Sequence, residues 1–223
     1  KSLRDTPNTA SNEQRHQRSR RALLLGLGAA TLLPLLQGCF PVVATGVGAG
    51  AALVSDRRTS GTYVEDEGIE WKVSSRIRER FGNTAHINVT SYNRNVLLTG
   101  EAPNATVRGE LDAIVAGVEH VRGVINEVVV GPNSALTARG NDTLITSNVK
   151  ARFVDAGRFS AHNVKVVTEA NVVFLMGIVT SAESDSADEL ARTSQGVRKV
   201  VRVFEYISDE EARRLDNPTG ARR

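Results

Sequence analysis

The sequence predicts an α+β protein with two tandem copies of one α-β-β-α-β unit, each with a three-stranded mixed sheet and two helices on one face. Two observations carry this prediction. The 223-residue chain repeats a pattern of apolar residues, so that Gly100 and Gly177 end matching segments 77 positions apart. Aromatic residues make up only 4% of the chain, so both cores must consist mainly of Val, Leu and Ile. The units are predicted over residues 68–131 and 141–207.

Each unit opens with an amphipathic helix. Apolar residues recur there at every fourth position: Val73, Ile77 and Phe81 in the first helix, and Ile145, Val149 and Phe153 in the second. This spacing places three side chains on one helix face. Asn141 and Asp142 are good N-cap residues and predict the start of the second helix.

A β-hairpin, a second helix and a last strand complete each unit. The hairpin strands are predicted at Ile87–Thr90 and Asn95–Gly100, and at Val164–Val167 and Val172–Gly177. Turns are expected at 93–95 and 169–171. The helices are predicted over about Asn104–Gly117 and Ser181–Gly196, and the last strands over Val124–Val130 and Val201–Ile207.

The amino-terminal segment resembles a bacterial lipoprotein signal peptide. Arg18, Arg20 and Arg21 precede an apolar run at Ala22–Leu36, which is shorter than the ~20 residues of a membrane span. Leu36-Gln37-Gly38-Cys39 resembles a lipobox. These features predict a signal peptide at 1–38, a lipidated Cys39 that carries acyl chains, and a linker up to residue 67. The alternative is a free, buried cysteine after an internal apolar segment.

Two further details concern export. Ser19-Arg20-Arg21 resembles a twin-arginine signal, whereas the leucine-rich run favours the general secretory route. Phe40, rather than Asp, follows the cysteine, which favours the periplasmic face of the outer membrane.

The charge balance argues against nucleic acid as a partner. Residues 1–38 hold six of the 28 Lys/Arg and two of the 25 Asp/Glu, so the remainder has 22 bases and 23 acids. The mature chain is therefore nearly neutral, without the basic field that nucleic-acid binding requires. With one cysteine, the chain cannot form an internal disulfide.

No catalytic arrangement is visible in the sequence. His86, His120 and His162 lack metal-ligand spacing, and no nucleophile elbow is present. Four acids on the predicted fourth helix could bind calcium, but a solvated acidic face explains them better: Glu183, Asp185, Asp188 and Glu189. We therefore expect a protein without enzymatic activity, cofactor or metal.

A candidate lipid contact lies on the opening helix of the second unit. Leu144 points about 100° away from the inward residue Ile145, and three cations lie nearby: Lys150, Arg152 and Arg158. An apolar residue beside cations could enter a bilayer surface while the cations meet phosphates. Alternatively, Leu144 packs against the first unit or the linker.

The repeated motifs resemble those of the BON domain, a periplasmic module. "NVLLTG" and "VVFLMG" match its VxLxG strand, and "GVEHV" and "GVRKV" match its GVxxV segment. Behind a lipobox, the duplicated order is similar to that of dual-BON outer-membrane lipoproteins. The resemblance implies a role in envelope integrity, with BON domain 2 binding anionic phospholipid through its opening helix. Those proteins carry an aromatic residue at the position of Leu144, so a weaker interfacial anchor is expected here.

A rival hypothesis is a protein-interaction scaffold that docks envelope proteins while its lipid anchor only localises it. The tail, residues 208–223, begins with Ser208-Asp209-Glu210-Glu211, a capping-box pattern that predicts a short helix to about Leu215.

Overall fold

The computed structural model describes residues 56–217, which form two consecutive α-β-β-α-β units. The first unit contains α1 (Ser60–Phe81), β1 (His86–Tyr92), β2 (Asn95–Ala102), α2 (Ala105–Ala116), β3 (Gly123–Asn126) and β4 (Val129–Val130). The second contains α3 (Leu136–Ala156), β5 (Val164–Glu169), β6 (Val172–Val179), α4 (Ser181–Arg192) and β7 (Lys199–Tyr206). A 3-10 turn (Ala161–Asn163) precedes β5, and α5 (Asp209–Asp216) follows β7.

Both sheets are mixed, as predicted. In the first unit β2 pairs antiparallel with β1 and parallel with β3 and β4. In the second, β6 pairs antiparallel with β5 and parallel with β7. The middle strands β2 and β6 are buried along almost their whole length, which is why both are nearly continuous apolar runs.

The two helices of each unit pack on one face of its sheet. Alternate residues of the middle strands, Val96 and Leu98 in β2 and Val173 and Leu175 in β6, face these helices. The predicted inward residues of the helices lie in these cores: Val73, Ile77, Leu111 and Val115 in the first unit, and Ile145, Val149, Phe153, Ala187 and Leu190 in the second. The helix-on-sheet prediction is confirmed.

The opposite faces of the two sheets pack against each other. Leu97 of β2 and Tyr92 of β1 contact an apolar row of β6, which consists of Phe174, Met176 and Ile178. The layers therefore run helices, sheet, sheet, helices. Each unit alone has a small core, and this shared cluster lets the two units stabilise each other.

Each hairpin turn is held by a buried aspartate from the opening helix. The turn residues Asn93 and Arg94 have positive φ angles, and their backbone N–H groups donate to Asp66 at 2.8 and 2.7 Å. In the second unit the N–H groups of Ala170 and Asn171 donate to Asp142 at 3.0 and 2.9 Å. Positive φ at both central residues is the two-residue hairpin geometry that matches strand twist.

The helix starts differ from the sequence-based prediction. Asp142 does not cap α3, because its carboxylate serves the hairpin turn, and the helix begins six residues earlier at Leu136. Arg139 ties the first turn by donating to the carbonyl oxygen of Ser134 at 3.0 Å. Likewise α1 begins at Ser60, capped by Thr59, so the predicted linker (39–67) is wrong in its last part.

The chain before α1 is also fixed to the second unit. Arg57 is buried and forms ion pairs with Glu183 of α4 at 2.7 Å and with Asp216 of α5 at 2.9 Å. Arg58 pairs with Asp66 at 2.8 Å and lies 4.1 Å from the centre of the Tyr92 ring. We call residues 56–58 the clamp.

Three smaller differences concern element ends. The predicted strand Val124–Val130 is interrupted, because Val128 turns into the core and its N–H donates to the Asn126 side chain at 3.2 Å. Helix α4 ends at Arg192, four residues before the predicted end at Gly196. The predicted tail helix is confirmed as α5, whose cap Ser208 accepts from the Glu211 N–H.

The glycine of each VxLxG strand permits a close approach of backbone. A Cβ atom on Gly100 would lie 2.0 Å from the carbonyl oxygen of His86, and one on Gly177 would lie 2.4 Å from that of Asn163. Gly100 also has φ +107, a conformation that disfavours other residues. The repeated motif thus follows from the repeated geometry.

Candidate membrane-binding surface

Helix α3 carries an exposed face without a charged side chain. Leu144 is 65% exposed, and Leu136 and Val154 are 82% and 67% exposed. Small or weakly polar exposed residues lie between them. We call this set the outer face of α3: Leu136, Gly140, Thr143, Leu144, Ser147, Ala151 and Val154.

The two hydroxyl groups on the outer face are already hydrogen-bonded within the helix. The Thr143 hydroxyl donates to the carbonyl oxygen of Arg139, and the Ser147 hydroxyl to that of Thr143, both at 3.0 Å. Each side chain therefore needs no other acceptor when water is removed. This lowers the cost of burying the outer face in an apolar surrounding.

Lys150 lies at the edge of the outer face. Its side chain is exposed, and it forms no ion pair within residues 56–217. Of the three predicted lipid-contacting cations, Lys150 is the one whose charge is turned to solvent without a neighbouring carboxylate partner.

Arg152 instead forms hydrogen bonds within the fold. Its guanidinium donates to the carbonyl oxygen of Leu190 at 2.7 Å and to the Ser194 hydroxyl at 2.9 Å, both at the end of α4. Arg76 does the same in the first unit, donating to the carbonyl oxygen of Gly117 at 2.8 Å. A contact repeated in both units is explained by the fold.

Arg158 follows α3 and is partly neutralised. It pairs with Glu189 at 2.8 Å, and both side chains are about half exposed. An exposed pair of this kind can open at little cost to meet another anion. The four predicted lipid contacts therefore differ: Leu144 and Lys150 are both exposed, Arg158 is paired with Glu189, and Arg152 is hydrogen-bonded to the end of α4.

A buried polar cluster lies elsewhere, between the two units. His86 Nδ1 is 3.0 Å from Glu101 Oε2, and Glu169 of the second unit completes the group, with the ligand atoms all within 4.8 Å of one another. We call His86, Glu101 and Glu169 the interface triad. The Asn88 side chain donates to Glu169 at 2.6 Å, and the Thr99 hydroxyl does so at 3.2 Å.

Burial of the interface triad changes the pKa of one of its carboxyl groups. Burial raises the pKa of the Glu169 carboxyl above its ordinary value, and the negative charge of Glu101 adds to this rise. The hydrogen bond from Asn88 acts in the opposite direction. Two buried carboxylates thus lie near one imidazole, which is within hydrogen-bond distance of Glu101.

The sequence analysis, which predicted no metal ligands, missed this cluster. Counting back from the two-residue turn at Asn93 and Arg94 pairs His86 with Glu101, and the observed register has that pair. The hairpin pattern therefore could have placed two of the three residues together. Glu169 joins them only through the packing of the two units, and the sequence does not specify which residues meet at that interface.

The described part of the chain contains no helix that is both long and apolar enough to span a bilayer. The predicted lipidation site at Cys39 and the predicted signal peptide lie outside the described residues.

Comparisons with known proteins agree with the repeat. The BON domain model matches residues 65–132 and 141–208. The chain is 37% identical over 188 residues to the outer membrane lipoprotein DolP of Haemophilus influenzae, covering 83% of this chain and 95% of that protein. It is 35% identical to a 21 kDa hemolysin of Actinobacillus pleuropneumoniae, over 68% of this chain and 79% of that protein.

A more distant relative matches a similar share of the chain. The osmotically-inducible protein Y of Escherichia coli is 29% identical, with 70% of this chain and 80% of that protein covered. Both matched BON segments coincide with the α-β-β-α-β units, and the strong match to DolP covers nearly all of that lipoprotein. The chain therefore belongs to the BON-domain family, as a dual-BON outer-membrane lipoprotein similar to DolP.

Proposed function

We propose that this protein is a lipid-tethered binding protein of the cell envelope, without enzymatic activity, whose second BON domain binds anionic phospholipid. The outer face of α3 is the observation that carries the proposal. It presents three exposed apolar side chains, with Lys150 at one edge and Asp155 at the other. This combination suits the boundary between headgroups and acyl chains.

The expected contribution of each residue is small. Fully burying a leucine side chain is worth about 1.5–3 kcal/mol, and a cation beside an anionic surface adds about 1 kcal/mol. The outer face of α3 would therefore bind membranes weakly by itself. A lipid on Cys39 would supply the stable attachment, with the domain contact orienting the protein on the bilayer.

Vesicle flotation tests the domain contact. The two cores and their interface lie within residues 56–217, so a soluble fragment that begins at Asp56 serves as the sample. We expect it to float with vesicles that contain phosphatidylglycerol and to remain in solution with phosphatidylcholine alone. Leu144→Glu should reduce the bound fraction at least 10-fold.

Val64→Glu is the matched control for this experiment. Val64 is 69% exposed on α1, the corresponding helix of the first domain, so the substitution introduces the same charge at a similar exposure. It should leave vesicle binding unchanged. A loss with Val64→Glu but not with Leu144→Glu would move the contact to α1. No flotation at low salt would favour the protein-interaction scaffold.

The proposed lipid on Cys39 has a separate test. Mass spectrometry of the protein purified from membranes should show an amino terminus at Cys39 with a diacylglyceryl thioether and an N-linked acyl chain. An unmodified thiol in a chain that still carries residues 1–38 would contradict the proposed anchor.

A further inference from the structure

The interface triad is drawn from three separate strands. His86 begins β1, Glu101 lies opposite it on β2, and Glu169 ends β5 of the second domain. Both glutamates are buried, and His86 is partly buried. A cavity of about 440 Å³ on the side of α3 is lined by His86 and Glu169 of the triad, by Asp142, and by the cations Arg139 and Lys150. A small ion therefore has a path to buried ligands.

Among the described residues, the hydrogen bonds to the two carboxylates leave one oxygen atom of each without a donor. His86 Nδ1 and the Ser134 N–H both meet Oε2 of Glu101, at 3.0 Å each. Asn88 and Thr99 both meet Oε2 of Glu169. Within residues 56–217 no donor reaches either Oε1 atom, so each glutamate keeps an oxygen that can face a cation.

We propose that His86, Glu101 and Glu169 form a divalent metal site, best suited to Zn²⁺, that joins the two BON domains. One imidazole nitrogen and two carboxylate oxygens are ligands that zinc accepts, and water would complete four-coordination. Calcium and magnesium prefer sites made of oxygen alone, with more ligands than this group offers.

The geometry requires only a modest contraction. Zinc bonds of about 2.0–2.2 Å put neighbouring ligand atoms about 3.4 Å apart in a tetrahedral site. The three ligand atoms already lie within 4.8 Å of one another. We expect rotation of the His86 ring and of the two carboxylates to bring the ligand atoms closer, with the ion replacing the contact between His86 and Glu101.

Such an ion would connect the domains electrostatically. In its absence, two buried carboxylates from different domains repel each other across the sheet interface. With the ion bound, the same two groups attract a common positive charge. Metal binding should therefore stabilise the packing of domain 1 against domain 2 rather than either domain alone.

The test uses the protein purified from membranes in detergent and treated with a chelator. Calorimetric titration with ZnCl₂ should show one site per chain, and excess zinc at about 100 times Kd should raise Tm by about 5–10 °C. Co²⁺ in place of zinc should give the visible absorption of a low-symmetry, four-coordinate ion. His86→Gln and Glu169→Gln should each weaken zinc binding at least 10-fold and abolish the Tm shift.

His162→Gln is the control, because His162 lies in the turn that precedes β5 of domain 2 and is exposed. It should bind zinc as the wild type does. The proposal is overturned if His86→Gln binds zinc as tightly as the wild type, if His162→Gln abolishes binding, or if millimolar zinc leaves Tm unchanged. Should Glu169→Gln fail to fold, His86→Gln alone decides, because its side chain lies at the margin of the core.

Discussion

The two BON domains have the same scaffold and different outer surfaces. Both hold their hairpin with an aspartate, Asp66 or Asp142, and both tie the end of their second helix with an arginine, Arg76 or Arg152. The solvent-exposed surfaces of their opening helices differ. Helix α1 contains nine charged residues and an exposed Trp71, whereas α3 contains five, three of which are turned inward or toward the loop before it.

The difference separates residues that build the fold from residues that give each domain its role. A contact that recurs at equivalent positions in both domains is needed for folding. A feature present in one domain, such as the neutral outer face of α3 or the cluster at Glu169, is a candidate for function. Arg152 belongs to the first class although its charge and position suggested the second.

The largest expected effect concerns the strand glycines. Gly100→Ala should destabilise the protein by about 3–5 kcal/mol, since the added Cβ meets a backbone oxygen and the φ angle is unfavourable. Gly177→Ala has the steric problem alone and should cost about 1–3 kcal/mol. Urea unfolding measures both. Gly68→Ala, inside α1 with open space around it, is the control and should stabilise by about 0.5–1 kcal/mol.

The hairpin aspartates should give the next effect. Asp142→Ala removes the acceptor of two turn N–H groups and should cost about 2–4 kcal/mol. Asp66→Ala should cost more, because Asp66 also accepts from the Ser91 hydroxyl and pairs with Arg58. Thermal unfolding followed by circular dichroism tests the order. Equal losses would mean that the additional contacts of Asp66 contribute nothing.

The smallest effects distinguish Arg152 from Lys150. Arg152→Met should cost about 1–2 kcal/mol in stability, because the carbonyl of Leu190 loses a charged donor, while flotation of the folded variant stays unchanged. Lys150→Met should leave stability unchanged and reduce binding to anionic vesicles about 5-fold. The reverse result for the two variants would assign the lipid contact to Arg152.

The sequence predicted the repeated unit, the hairpins and the inward residues of the helices, because these depend on local periodicity. It could not place the start of α3, because an aspartate serves equally well as an N-cap and as a hairpin acceptor. The break before Val129 was also hard to predict, since Val124–Val130 contains four valines and neither glycine nor proline. On the surface, Leu144 and Lys150 emerged from helical periodicity, whereas the roles of Arg152 and Glu169 depend on partners distant in the chain.

If Cys39 carries the proposed lipid, the clamp at Arg57 limits how far the two domains can move from the bilayer. Sixteen residues separate Cys39 from Asp56, so even a fully extended chain reaches no farther than about 60 Å. Domains confined to a hemisphere of that radius above the bilayer have an effective concentration there on the order of millimolar. Had the linker continued to residue 67, the accessible volume would be several times larger. With this short distance, a headgroup contact of only modest strength would suffice for the proposed binding of the second domain to the membrane.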